Sequence, residues 1–77
     1  MDDFIVTRLD AMSLPYQGGN RAGYCARGMR EFCERHNLSY LAFAQHGIPA
    51  SVLLATGDAM AARLVNHARQ RRLEDAG

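Results

Sequence analysis

An all-α fold, a compact bundle of three or four short helices in one domain, follows from three features of the chain. Between Ala22 and Asn37 the apolar and small residues Cys25, Met29, Phe32, Cys33 and His36 recur at helical spacing, while Arg27, Arg30, Glu31, Glu34 and Arg35 take the opposite face. Beyond it, helix starts and stops are written in residue types: Ser39 before an apolar-anchored run closed by Gly47, and Asp58 before another. Finally, 77 residues support one hydrophobic core.

At the N-terminus, Ile5, Leu9 and Met12 have helical spacing with Asp2 or Asp3 available as a cap. Phe4 to Thr7 also suit a strand, and the expectation is a short helix over 2–12. Residues 13–20, with Pro15 and Gly18-Gly19, form a loop, so 1–21 is an N-terminal segment outside the helical core of 22–72. Asn20 caps the first strong helix, in which Arg27–Glu31, Arg30–Glu34 and Glu31–Arg35 are i,i+4 charge pairs. Asn37 suits a left-handed C-terminal cap with Leu38 folding back onto the helix. Ser39 caps a short helix through Gln45 or His46, anchored by Leu41 and Phe43. Pro49 suits a helical first turn, and Val52, Leu53 and Leu54 read as an apolar knot ending at Thr56-Gly57. The last helix runs from near Asp58 to about Arg72, with Met60, Ala61, Leu64, Val65 and Ala68 inward and a frayed tail over 73–77. The expected core is Cys25, Met29, Phe32, Cys33, Leu41, Phe43, Ile48, Leu53, Met60, Leu64 and Val65.

Composition excludes several classes of function. The apolar stretches are too short to span a bilayer, and the acidic start at Asp2 and Asp3 lacks the positive charge of a secretory leader, so the expected location is cytoplasmic. A net charge of +1 makes no case for bulk attraction to nucleic acid or anionic lipid. All nine basic side chains are arginine, a bias that a GC-rich coding sequence explains without phosphate contacts. Cys25 and Cys33, eight residues apart on one helix, stand about 12 Å apart along its axis at ~1.5 Å per residue, too far for a disulfide.

Four site chemistries are open to these residues. Cys33, His36 and His46 offer three metal donors but lack a close Cys pair and a fourth ligand, so no metal or other cofactor is expected. Cys33 with His36, oriented by Asp58, has the elements of a nucleophile and base, but the thiol faces the core and no oxyanion donor adjoins it, so neither an enzyme nor a small-molecule substrate is expected. Residues 39–56 have the layout of a helix-turn-helix, yet Ala50 to Thr56 contain no Arg, Lys, Asn or Gln to read bases. In that alternative reading, phosphate contacts fall to Arg63, Arg69, Arg71 and Arg72, joined by Arg27 or Arg30 on one surface. A protein interface remains, with Tyr16, Tyr24 and Tyr40 as amphipathic candidates for contact with an unidentified partner or a second copy.

Ala22-Gly23-Tyr24-Cys25-Ala26-Arg27-Gly28, Phe32-Cys33-Glu34-Arg35-His36, Gly47-Ile48-Pro49-Ala50 and Leu54-Ala55-Thr56-Gly57-Asp58-Ala59 resemble small uncharacterised proteins encoded in bacterial prophages and tailed phages, over roughly residues 22–68. The resemblance implies a phage or prophage origin, a helical fold and a place among virion-assembly genes, and supplies no catalytic residues. The expected function is therefore non-enzymatic: contact with another protein, with a small DNA-binding regulator as the alternative.

Overall fold

A computed structural model of the protein describes residues 3–14 and 26–76. Among them the chain forms β1 (Ile5–Val6), α1 (Arg8–Ser13), α2 (Ala26–Arg35), α3 (Tyr40–His46), β2 (Ile48–Pro49), α4 (Ala50–Ala55) and α5 (Ala59–Ala76). The fold is all-α: five helices around one core, with a two-stranded antiparallel ladder pairing Ile5 with Pro49 and Val6 with Ile48.

The caps form largely as the residue types dictate. Asn37 takes φ 57°, Leu38 N–H reaches back to Cys33 O at 2.7 Å, and the Leu38 side chain packs on the core. Ser39 Oγ accepts from Ala42 N–H at 3.1 Å, and Gly47, at φ 79°, ends α3. Asp58 Oδ1 accepts from Met60 N–H at 2.9 Å and starts α5.

The N-terminal stretch divides where one helix was expected. Ile5 and Val6 pair with β2, and the helix begins only at Arg8, because Asp10 Oδ2 accepts both Thr7 N–H (2.8 Å) and Thr7 Oγ1–H (3.2 Å). Asp3 does not cap α1. Its carboxylate takes Ser51 N–H at 3.0 Å and Ser51 Oγ–H at 2.6 Å, closing the start of α4 from a distance in sequence, and these bonds hold its pKa below the ordinary value.

Val6, Ala11, Met29, Phe32, Cys33, Phe43, Ile48, Ala50, Leu53, Ala61, Leu64, Val65 and Ala68 form the buried cluster, with Met60 packed against it. The N-terminal segment thus belongs to the core. Leu41 does not: it is 65% exposed, because α3 turns Phe43 inward and Leu41 lies about 200° around the helix from it. The knot at 52–54 also opens out, since α4 buries Ala50 and Leu53, one turn apart, and leaves Val52 and Leu54 exposed. Cys25 lies outside the described residues. The tail expected to fray continues α5 to Ala76, anchored where Arg71 and Arg72 bind Asp10 on α1. Of the three expected charge pairs on α2, Arg27–Glu31 forms at 3.4 Å. Arg30 lies instead over the Tyr40 ring and Arg35 reaches Asp58.

Candidate interaction surface

The arginines near the end of α5 face inward contacts. Asp10 is 2% exposed, and its carboxylate receives Arg71 Nη1 at 2.8 Å and Arg72 Nη1 and Nη2 at 3.2 and 3.1 Å. Arg72 also donates to Ala68 O at 2.8 Å and to Ile5 O, and its guanidinium lies 4.9 Å from the Phe4 ring centroid. Burial works against a charged Asp10; the Arg72 hydrogen bond, the Thr7 backbone N–H and the charges of both arginines outweigh it, leaving the pKa below the ordinary value. Arg69 donates to Asn66 Oδ1 at 3.3 Å and lies 5.9 Å from Phe4. Of the four arginines considered as phosphate contacts, three are engaged within the molecule, and Arg63 is exposed without a partner among the described residues.

The histidine and acid that sequence spacing suggested do meet. His36 Nε2 and Arg35 Nη2 each lie 3.0 Å from Asp58 Oδ2, tying the end of α2 to the start of α5. The His36 bond, Met60 N–H and Arg35 together bring the Asp58 pKa down to about 2. Cys33 takes no part in this group: it is fully buried, and desolvation pushes its thiol pKa up, which disfavours the thiolate a nucleophile needs. His46 is exposed in the last turn of α3, and no three His, Cys, Asp or Glu among the described residues could hold a metal ion.

The α3–β2–α4 segment has the layout of a helix pair, but the start of α4 is covered by the Asp3 carboxylate. A negative charge stands where a recognition helix would meet phosphate. The outward residues of α4 are Ser51, Val52, Leu54 and Ala55.

Large apolar side chains are exposed on several elements, at Ile5, Leu9, Met12, Leu41, Val52, Leu54 and Leu73, and sequence reading did not mark those of β1 and α1 as surface. Leu9 and Met12, three apart on α1, are 59% and 56% exposed. Leu9 borders an open depression of about 200 Å³, lined also by Arg8, Phe43, Ala44, His46 and Gly47. Ile5, itself 46% exposed, lies against Gly47, and Leu41 stands one turn before Ala44 and Gln45 on the same helix. Of these, Leu9 and Ile5 lie by the C-terminal end of α3, whereas Leu41 is the second residue of that helix and Met12 the fifth of α1. A cue was present in the sequence, since Leu9 and Met12 are spaced as one helical face, but inward and outward faces of a helix this short look alike before the partner element is known. Tyr40 is half-buried against the core, its ring beside Phe43 and under Arg30, which lies 5.2 Å from its centroid. Tyr16 and Tyr24 lie outside the described residues. No described helix is long and apolar enough to cross a membrane.

In comparisons with protein-family models, curated proteins and solved structures, none matches this chain.

Proposed function

We propose that this protein is a non-enzymatic domain that works by contact with another protein, through exposed apolar side chains of which Ile5 and Leu9 stand beside the end of α3. The phage or prophage setting, with a part in particle assembly, rests on the sequence resemblance alone. The observation that carries the binding reading is the placement of large apolar side chains outside a core that is otherwise closed. The polar groups speak the same way. Arg71 and Arg72 are spent on Asp10, and of the Cys33–His36 pair the thiol is buried and the imidazole is engaged by Asp58. Regulation through DNA is disfavoured by Asp3 at the start of α4 and by the lack of base-reading side chains on that helix.

Light scattering on a sizing column, with and without duplex DNA at low and moderate salt, tests this reading. The expected result is a mass unchanged by DNA. Co-elution with DNA that weakens steeply as salt rises would overturn it in favour of the helix-pair regulator.

A further inference from the structure

We infer that the depression between the start of α1 and the end of α3 takes one large apolar side chain from an acidic segment of the partner protein. The inference rests on the protein-binding reading and adds the chemistry of what is bound. At about 200 Å³ the depression falls short of the ~300 Å³ at which small-molecule pockets begin, a size suited to one side chain. Its apolar lining comes from Leu9, Phe43 and Ala44, while its only ionisable lining groups are Arg8 and His46, with no carboxylate among them.

Arg8 is the informative residue. Among the described residues, only Arg8 and Arg63 of the arginines have no ion pair, hydrogen bond or ring contact. A free guanidinium beside an apolar seat matches a partner that brings a carboxylate next to its apolar anchor, because Arg pairs with carboxylates through two parallel hydrogen bonds. The depression on the other side of Leu9, of about 190 Å³, differs in this respect: Arg71 and Arg72 are already bound to Asp10, and Asp75 adds a further negative charge. An acidic segment is therefore directed to the side of Arg8 and His46. A nucleic acid would find one arginine there, too few phosphate contacts to hold it.

Selection from a library of short random peptides against the immobilised full-length protein tests the inference. The recovered peptides should combine a large apolar residue with flanking carboxylates, and their affinity should fall about tenfold or more for Arg8→Glu, the effect of reversing a pairing charge. Versions with lysine in place of the acids should recover binding to that variant. Glu at the first position of α1 suits the helix dipole, so Arg8→Glu keeps the fold, which circular dichroism checks. Selected peptides without carboxylates, or peptides indifferent to Arg8→Glu but sensitive to Leu41→Ser, would overturn this site while leaving a protein-binding domain. If no peptide is enriched, the inference of an acidic segment at this depression falls, and the protein-contact reading is judged by its own light-scattering test.

Discussion

Breaking the Asp10 cluster from its two sides should have unequal consequences. Asp10→Ala removes the buried carboxylate and frees Arg71 and Arg72, whose side chains are 37% and 38% exposed and can return to water. It also removes the acceptor for Thr7 N–H at the start of α1, worth about 1 kcal/mol as a cap. With the charge-assisted bonds discounted for the exposure of the arginines, the total comes to about 2–3 kcal/mol. The double variant Arg71→Ala/Arg72→Ala removes both cations from a carboxylate that is 3% exposed in the intact protein, with Thr7 its remaining donor among the described residues, and an uncompensated buried charge costs about 3–5 kcal/mol. A domain of this size has about 5 kcal/mol in total, so the double variant should be largely unfolded while Asp10→Ala still shows a cooperative transition. Adding Asp10→Ala to the arginine pair should restore part of the loss. Urea unfolding followed by circular dichroism measures all three. The pH dependence has a definite sign: since the folded pKa of Asp10 is depressed, its contribution is complete above the unfolded value of about 3.9 and is lost as pH falls through the folded value. Asp10→Asn should flatten the acid limb. A double arginine variant no less stable than Asp10→Ala would refute the reasoning, because it would mean that the carboxylate is hydrated or otherwise paired.

Three further outcomes follow from other parts of the molecule. Gly47→Ala should cost about 3 kcal/mol or more, since φ 79° with ψ −179° is backbone that only glycine adopts readily and an added Cβ would lie 2.5 Å from Ile5 Cγ2 and 2.6 Å from Val6 O; thermal unfolding reads the loss. Leu53→Ala should cost about 2–5 kcal/mol and Leu41→Ser less than about 0.5 kcal/mol, a contrast between two leucines that sequence spacing placed together in the core and that chemical denaturation separates. For Asp58, with a pKa near 2 set by His36, Met60 N–H and Arg35, the stabilising contribution is whole above about pH 4 and fades toward pH 2; a carboxyl titration followed by nuclear magnetic resonance should find it ionised at pH 3, and Asp58→Ala should shorten the acid range of the folded state.

What could be read from the chain and what could not divides along the range of the interactions. Asn37, Ser39, Gly47 and Asp58 act on backbone within a few residues, so their residue types alone predict the ends of α2 and α3 and the start of α5. The strongly periodic helix through Met29, Phe32 and Cys33 was legible for the same reason, because one side of it is continuously apolar over several turns. Short helices carry too few residues for that test. In α3 and α4, Leu41, Phe43, Val52, Leu53 and Leu54 are equivalent as letters, and burial is decided by which way the neighbouring elements make each helix face. The contacts spanning more than forty residues were beyond reach altogether: Asp3 to Ser51, Asp10 to Arg71 and Arg72, and Ser13 Oγ to His67 Nε2 at 2.9 Å. Those same contacts decide what the arginines are for. A cation near the end of α5 read from sequence is a phosphate ligand or a complement to the helix dipole with equal ease, and only the buried carboxylate of Asp10, brought by an N-terminal segment that seemed peripheral, commits Arg71 and Arg72 to the fold. Once they are committed, Arg8 and Arg63 are left as the arginines without a side-chain partner among the described residues, and Arg8, beside the exposed Leu9, is where the proposed binding is to be sought.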